Sequence, residues 1–336
     1  MDSLATRTLE LVNIPSESRR EEAALEYVRR AMPAPPEYDD DTVLFWPGRV
    51  VLAGHLDTVP AQGNLPGRVE DGFVVGLGAS DMKGGCAVML ELARAGATFG
   101  YLFFGREELP AGESALPRFF ERHGLECDLV VMMEPTDNEI HAGCLGNLNA
   151  RLTFRGESAH SARPWTGVNA ISLAVDGLAP LAHVEPRDVE IQGLVFREVL
   201  SITRIEGGIA TNVIPAEAWA ILNFRYAPDR TPEGAEAHLR ALAGGNGDLE
   251  LQGNSPPARV AAESRLVRAL REAGELRVAP KQAWTPVAEF SAQGLDAVNY
   301  GPGATRYAHR ADERVEISEL RRCYDALERF AATVPA

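Results

Sequence analysis

Cysteine is scarce in this chain, and the few cysteines form no pattern. Four occur among the 336 residues, at Cys86, Cys127, Cys144 and Cys323, and none belongs to a CxxC pair. This spacing argues against zinc-finger and thioredoxin-type sites. Because cysteine is among the residue types most often buried, we expect reduced thiols inside the protein.

Long apolar runs and an excess of basic residues are also missing. No apolar run approaches the roughly 20 residues that cross a bilayer, and residues 1–6 contain no basic segment followed by an apolar one. We therefore expect a cytoplasmic protein with no membrane partner. The net charge of −15 argues against nucleic acid, whose phosphates require a basic surface. With 45% hydrophobic residues, the chain has a globular composition and the length for two domains.

The first part of the chain alternates short apolar runs with helical patterns. Apolar runs at 50–53, 101–104 and 129–133 are separated by helical patterns at 84–94 and 115–123. This alternation predicts an α/β domain, in which a mostly parallel sheet is covered by helices on both faces. Ligands bind such sheets at the carboxyl ends of the strands.

After Gly146 the pattern changes to alternation of apolar and polar residues, most clearly over 219–226. This period is typical of antiparallel strands with one exposed face. We predict an inserted α+β domain of antiparallel strands and two helices at 149–258. The first domain would then be discontinuous, comprising 1–148 and 259–336.

His55 and Asp57 directly follow the first apolar run. Residues two apart point to the same side of a strand, so a carboxylate at 57 can steady an imidazole that ligates a metal. Further acidic residues follow or lie between the predicted strands, at Asp81, the adjacent pair Glu107 and Glu108, and Glu134, and a histidine, His309, lies far along the chain. Oxygen and imidazole ligands in this number indicate a two-metal hydrolase, since paired divalent ions activate water and polarise a carbonyl.

Two structural alternatives remain open for these acidic residues. Asp81 lies among glycines before a predicted helix, and aspartate is a favoured helix N-cap. Glu107 and Glu108 could form a solvated helix start. In the functional interpretation, Asp81 bridges two ions and one glutamate of the pair acts as a general base.

Several motifs in register resemble those of the M20 family of metallopeptidases and deacylases, across nearly the whole chain. They read GHLDTVP from Gly54, ASDMKGG from Ala79, REE from Arg106, MMEPT from Met132 and AHRADE from Ala308. Within the family they are most similar to succinyl-diaminopimelate desuccinylases of the actinobacterial type. The motifs AHSAR from Ala159 and NFRYAPD from Asn223 extend the likeness into the insert.

The resemblance implies a role for each matched residue. The implied metal ligands are His55, Asp81, Glu108, Glu134 and His309. Asp81 would bridge the two ions, Glu107 would be the general base, and Asp57 would orient His55. The ions are expected to be Zn²⁺, with Co²⁺ as an alternative.

The resemblance also assigns residues outside the metal site. His160 would reach across a homodimer interface in the inserted lid or dimerisation domain and stabilise the oxyanion. The implied substrate-binding residues are Arg225, Asn212, Arg163 and Gly303. Arginine suits a substrate carboxylate because its planar fork matches that group.

One loop departs from the family pattern. Relatives read Trp-Thr-Asp-x-x-Arg-Phe, whereas here Pro286 and Glu289 replace the acidic and basic positions. Losing a cation there puts succinyl specificity in doubt and favours a substrate with a free amino group.

The predicted function is removal of an N-acyl group from an amino acid or diamino acid, by attack of a metal-bridging hydroxide on the amide. The alternatives are an acetylornithine or acetyl-lysine type deacetylase, and an M20 carboxypeptidase or dipeptidase that acts on short peptides. A non-catalytic metal-binding dimer is a further alternative, which the retained Glu107 disfavours.

Overall fold

The computed structural model describes residues 2–334. The first part of the chain contains helices and mostly short strands, and two helices precede its first strand. Its elements are α1 Ser3–Val12, α2 Glu22–Ala31, β1 Tyr38–Asp39, β2 Val43–Trp46, β3 Val50–His55, β4 Arg68–Glu70, β5 Phe73–Val75, α3 Gly84–Arg94, β6 Gly100–Phe104, α4 Leu116–Arg122, β7 Leu129–Met132 and β8 Ile140–Cys144. Two short segments, Ala79–Lys83 and Ala111–Glu113, form single turns.

The middle and last parts of the chain contain the remaining elements. The middle part comprises β9 Gly146–Arg155, β10 Ala159–His160, α5 Ala170–Ala182, β11 Arg187–Ile191, β12 Leu194–Gly207, β13 Val213–Ile214, β14 Glu217–Tyr226, α6 Pro232–Ala243 and β15 Asp248–Ser255. The last part comprises α7 Arg265–Gly274, β16 Val278–Lys281, α8 Val287–Ala292, β17 Ala297–Asn299, β18 Arg314–Glu316 and α9 Ile317–Ala331. Single turns at Pro164–Thr166 and Thr305–Tyr307 complete the set. In the described part of the chain, no helix is long and apolar enough to cross a membrane.

An eight-stranded sheet in the order β1-β2-β6-β3-β7-β17-β8-β16 organises the first and last parts. Its central strands β6, β3, β7 and β17 are parallel, and antiparallel pairs lie on either side of them. All residues of β3 are buried. The strand begins with two valines and a leucine, and such continuous apolar residues suit a strand that is covered on both faces. A Cβ at Gly54 would press on Met82 and Cys86 on one face of the sheet, whereas Phe45 packs against Phe119 of α4 on the other.

A small antiparallel sheet in the order β18-β5-β4 brings the end of the chain to the start of α3. Its register pairs Val315 with Val74, and the amide of Gly76 donates to the carbonyl of Glu313. The segment before β18 therefore lies against the turn Ala79–Lys83.

The middle part forms a five-stranded antiparallel sheet in the order β11-β12-β14-β9-β15. Residues of β14 alternate between buried and half-exposed, and the buried face packs on α5 and α6 through a core that includes Leu222, Phe224, Leu178 and Leu239. The helix α6 starts at the Thr231 cap and Pro232, and it ends at Gly244, whose φ of 61° favours glycine.

These elements confirm the predicted fold class, an α/β part on a large mixed sheet whose four central strands are parallel, with an α+β insert that has two helices. The chain divides into two compact units. The first comprises Met1–Gly143, Ala261–Ala279 and Glu289–Ala336, and the second comprises Cys144–Val260 and Pro280–Ala288. The predicted domain boundaries, and the lid or dimerisation role of 149–258, stay predictions.

Candidate metal centre

The candidate ligands follow neighbouring parallel strands. His55 is the last residue of β3, while Glu107 and Glu108 follow β6 and Glu134 follows β7. Because β6, β3 and β7 are adjacent and parallel, their carboxyl ends lie at one edge of the sheet. Asp81 joins them from the turn Ala79–Lys83, whose backbone departs from helical angles at Asp81 itself.

Asp81 lies between the two histidines. Its Oδ1 is 3.2 Å from Nε2 of His55, and its Oδ2 is 3.5 Å from Nε2 of His309. Glu108 Oε1 lies 2.9 Å from the same nitrogen of His309. Glu107 and Glu134 each place a carboxylate oxygen 4.0 Å from Nε2 of His55. The five predicted ligands and Glu107 thus converge within the first unit.

The donor atoms of this cluster fit divalent metal ions. Three groups each bring one donor atom per residue within 4.8 Å of the others: His55 with Glu107 and Glu108, His55 with Asp81 and Glu134, and Asp81 with Glu108 and His309. His55, Asp81 and Glu108 each belong to two of these groups. Asp81 is the geometric candidate for a shared ligand, because its two carboxylate oxygens face different histidines. Imidazole nitrogens with carboxylate oxygens are suitable ligands for Zn²⁺.

Asp57 connects the histidine to the glutamate pair. The Nδ1 atom of His55 lies 3.1 Å from the carbonyl oxygen of Asp57 and 3.5 Å from its Oδ1. The Asp57 carboxylate accepts the amides of Glu107 and Glu108, each at 3.1 Å, and the hydroxyl of Ser18 at 2.7 Å. One buried carboxylate therefore fixes the imidazole and the backbone that carries both glutamates.

Electrostatics in the cluster favour added positive charge. Burial disfavours a charged imidazole, yet hydrogen bonds to Asp57 and Asp81 raise the pKa of His55 well above its ordinary value. For Asp57, burial alone would raise the pKa, but the hydrogen bonds from His55 and Ser18 hold it below its ordinary value. The hydrogen bond to Glu108 raises the pKa of His309 to about 9. Both histidines therefore respond to surrounding negative charge, which a divalent cation would neutralise.

Glu107 is a carboxyl group whose environment favours taking up a proton. Burial raises the pKa of Glu107 well above its ordinary value, His55 opposes this, and Glu134 and Glu108 add to it. Arg106 precedes it with a φ of 63°, an uncommon angle for a residue with a side chain. A carboxyl group tuned upward in pKa beside candidate metal ligands suits general acid–base chemistry.

Sequence reasoning missed the residue that holds the Asp81 turn. The buried carboxylate of Glu313 accepts three amides, those of Gly78 at 3.0 Å, Ser80 at 3.0 Å and Asp81 at 2.9 Å. Burial raises its pKa to about 7 although these amides lower it. Glu313 lies in the AHRADE motif, but only the fold brings it to the turn.

Gly303 also lies against this turn. Its φ is 83°, and a Cβ there would be 2.6 Å from Oγ of Ser80. A side chain at 303 would therefore displace the turn that carries Asp81. Substrate binding by Gly303 stays a prediction.

The N-cap alternative for Asp81 does not describe its position. Helix α3 begins at Gly84 after Lys83, with no side-chain hydrogen bond at its cap. Lys83 itself is buried and donates to the carbonyl of Ile14 at 2.8 Å, and burial lowers its pKa to about 8.

Three predicted residues of the insert lie together in the second unit. His160 is the last residue of β10. This strand pairs with β13, which begins at the residue that follows Asn212. The amide of Ser161 donates to the carbonyl of Asn212 at 3.0 Å, and that of Arg163 donates to the carbonyl of His160 at 2.8 Å. All three predicted side chains are exposed. Their predicted roles are not tested by this arrangement.

Arg225 lies elsewhere in the second unit, on the half-exposed face of β14. Its Nε donates to Oδ1 of Asn223 at 3.0 Å. Burial lowers the pKa of Arg225. Among the described residues, no hydrogen bond or ion pair joins Arg225 to His160, Arg163 or Asn212.

Known proteins share both the sequence and the fold. A protein of Mycobacterium tuberculosis, strain H37Rv, provisionally named a succinyl-diaminopimelate desuccinylase, is 39% identical over 96% of each chain. Succinyl-diaminopimelate desuccinylase of Corynebacterium glutamicum is 37% identical over 81% of this chain and 78% of that protein. The crystal structure of aminopeptidase PepT from Bacillus cereus has a TM-score of 0.81 at 19% identity, covering 98% of this chain and 97% of that one.

Residues 51–333 match the family described as peptidase family M20/M25/M40, which confirms the resemblance drawn from the motifs. That match spans most of the chain and includes every residue of the cluster around Asp81. The chain belongs to peptidase family M20/M25/M40.

Proposed function

We propose that the protein is a metal-dependent amidohydrolase that removes an N-acyl group from an amino acid or diamino acid. One observation carries the proposal: the two oxygens of Asp81 face two imidazoles, those of His55 and His309, beside the partly buried Glu107. Relatives at 37–39% identity that bear the name desuccinylase support the N-acyl class.

The residues divide into two metal sites that share Asp81. We assign His55 and Glu134 to one ion and Glu108 and His309 to the other. Zn²⁺ suits this mixture of nitrogen and oxygen donors, and Co²⁺ is the alternative. Two divalent ions bound there would lower the pKa of water and polarise the amide carbonyl.

Within this proposal Glu107 moves the proton. Its carboxylate takes a proton from water and then delivers it to the nitrogen of the leaving amine. Asp57 holds the Glu107 amide and the His55 ring, so base and ligand keep their relative positions.

The test is hydrolysis of a substrate panel by metal-loaded and chelated protein. The panel contains N-succinyl, N-acetyl and N-formyl amino acids and diamino acids, with unmodified dipeptides. We expect turnover of an N-acyl compound that a chelator abolishes and Zn²⁺ or Co²⁺ restores. Turnover of dipeptides alone would instead identify a carboxypeptidase or dipeptidase, and metal binding without any turnover would identify a non-catalytic protein.

A second candidate, an acetylornithine or acetyl-lysine type deacetylase, is favoured by Glu289. Its carboxylate is largely buried and accepts the hydroxyl of Ser114 at 3.2 Å. Among residues 2–334 no cation lies within ion-pair distance of it. A carboxylate in this state favours a substrate with a free amino group, and the N-acetyl diamino acids of the panel test this.

We further propose a cytoplasmic homodimer formed through the insert, in which His160 serves the partner's site and Arg163, Asn212, Arg225 and Gly303 bind substrate. Large apolar side chains exposed on the second unit support an interface. They are Trp165, Val168, Ile171, Val175, Ile205 and Ile209. Light scattering coupled to size-exclusion chromatography tests the dimer.

A further inference from the structure

Every amide in the loop 105–108, which follows β6 and carries Glu107, donates a hydrogen bond. The amide of Gly105 donates to the carbonyl of Thr42 at 2.9 Å. The amides of the two glutamates share the carboxylate of Asp57. The amide at position 106 donates to a side chain from the N-terminal part of the chain. The backbone of this loop is therefore fixed at each residue.

Glu21 supplies the acceptor for position 106. Its Oε1 accepts the amide of Arg106 at 3.1 Å and that of Arg19 at 2.8 Å. Glu21 is 3% exposed, and it lies directly over Gly105, where a Cβ would be 2.9 Å from its Cγ and Cδ. One buried oxygen thus joins the loop of Glu107 to the segment before α2.

Capping of α2 does not account for the position of the Glu21 carboxylate. An acidic residue at the start of a helix ordinarily stabilises that helix, by capping its amides or through its dipole. Glu21 directly precedes α2, but its side chain makes no capping hydrogen bond. The amides of Arg19 and Arg106 both lie outside α2. The loop, rather than the helix, therefore explains where the carboxylate points.

The segment that carries Glu21 is itself attached to the end of β3. The hydroxyl of Ser16 donates to the carbonyl of Leu56 at 2.7 Å, and the amide of Thr58 donates to the carbonyl of Ser16 at 3.0 Å. The amide of Ser18 donates to the carbonyl of Thr58 at 3.2 Å. Glu21 therefore holds the loop in relation to the strand end that carries a proposed metal ligand.

The backbone of Arg106 is in a conformation that needs support. Its φ of 63° lies in the left-handed region, which is unfavourable for a residue with a side chain. An acceptor for its amide opposes relaxation to an ordinary angle. Without that acceptor, the peptide before Glu107 would be free to turn, and the Glu107 carboxyl group would move with it.

We propose that Glu21 is a positioning residue for the reaction, which holds the Arg106 backbone so that the Glu107 carboxyl group keeps its place beside His55. The inference rests on the proposed function, in which Glu107 moves the proton. Glu107 Oε2 lies 4.0 Å from Nε2 of His55. Glu21 belongs to none of the three donor groups around Asp81, so its effect passes through the backbone.

Substitutions at position 21 separate the hydrogen bonds from the charge. Glu21→Leu removes the acceptor and keeps a side chain of similar size. In saturating Zn²⁺, with bound metal confirmed by elemental analysis, we expect kcat to fall about 10- to 100-fold, as for a displacement of about 1 Å, and KM to change less than about threefold. Glu21→Gln keeps one carbonyl oxygen for both amides and should retain kcat within about threefold. Glu22→Leu, at the exposed next residue, is the matched control and should change neither constant.

Two variants of Arg106 test the backbone without altering Glu21. Valine is β-branched and strongly disfavours a φ of 63°, whereas asparagine tolerates it. The kcat of Arg106→Val should therefore be about 10-fold lower than that of Arg106→Asn, while both lack the arginine side chain. This comparison keeps the test available if Glu21→Leu does not fold.

Hydrogen exchange of the amides at 105–108 distinguishes failure of this inference from failure of the proposed function. If wild type hydrolyses no N-acyl compound, the proposed function fails. Exchange that is about 10-fold faster in Glu21→Leu than in Glu22→Leu, and slow again in Glu21→Gln, then still supports the hold of Glu21 on the loop. The positioning role is overturned if Glu21→Leu keeps the kcat of Glu22→Leu, if its loss falls on KM alone, or if Glu21→Gln loses as much kcat as Glu21→Leu.

Discussion

Replacing Glu289 by glutamine should stabilise the protein, and more so at higher pH. Glu289 lies on α8 with its carboxylate largely buried, and the hydroxyl of Ser114 donates to it. Burial raises its pKa to about 7, against an ordinary value of 4.5. The Ser114 hydrogen bond lowers the pKa only in part. Above neutral pH the folded protein therefore keeps a charged carboxylate at a site that favours the protonated, neutral form.

The sign and size of the effect follow from proton linkage. A raised pKa means that the folded state holds a proton that the unfolded state has released between about pH 4.5 and 7, so stability falls over that window. Above it the cost is constant, at about 3 kcal/mol from 1.36 kcal/mol per pKa unit. Glutamine resembles the protonated acid and carries no such cost. The advantage of Glu289→Gln should grow from about 1 kcal/mol at pH 5 to about 3 kcal/mol at pH 8.

Urea unfolding followed by circular dichroism measures this difference when both proteins are compared in the same buffers at pH 5, 6.5 and 8. Glu272→Gln is the matched control, since Glu272 is exposed on α7 in the same unit. Its effect should be small and independent of pH. A Glu289→Gln effect that stays constant from pH 5 to pH 8, or that destabilises the protein at pH 8, would refute the reasoning from burial.

Three further predictions concern the proposed active site. Glu107→Ala should lower kcat about 10²- to 10⁴-fold while bound metal, measured by elemental analysis, is retained; normal turnover would exclude Glu107 as the base. Glu313→Ala should weaken metal affinity about 10- to 100-fold in chelator competition, because three amides lose their acceptor, whereas the exposed Asp312→Ala should not. Mixing Glu107→Ala with His160→Ala subunits should restore about a quarter of wild-type activity if His160 serves the partner's site in a symmetric dimer, and none if it acts within its own chain.

The parts of the fold that the sequence predicted are those determined by local pattern. The apolar runs at 50–53, 101–104 and 129–133 became β3, β6 and β7 because fully buried parallel strands need continuous apolar residues. No element before residue 50 was predicted, although α1, α2, β1 and β2 lie there. The strand β1 has two residues and exists through pairing with β2, so its own sequence carries little signal.

The same distinction holds within the candidate site. His55 and Asp57 are two residues apart, and Glu107 and Glu108 are adjacent, so their association could be inferred from the sequence. The amide of Asp81 donates to Glu313, which lies 232 residues further along the chain. Ser18, which donates to Asp57, is 39 residues away from it in the sequence. A glutamate among charged neighbours and a serine in a loop have no local pattern that would reveal contacts of this range.

The residues proposed for the reaction are therefore easier to predict from the sequence than those proposed for its specificity. Four of the groups proposed to hydrolyse the amide follow strand ends, where sequence and topology together place them: His55, Glu107, Glu108 and Glu134. Arg225, which is proposed to bind substrate, is placed instead by cross-strand register, which sets it opposite Asn147 on β9, 78 residues earlier in the chain. A shift of one residue in that register would turn these side chains into the core. Variation in specificity among relatives should therefore arise at such paired positions on the open face of the sheet, while the strand-end ligands stay the same.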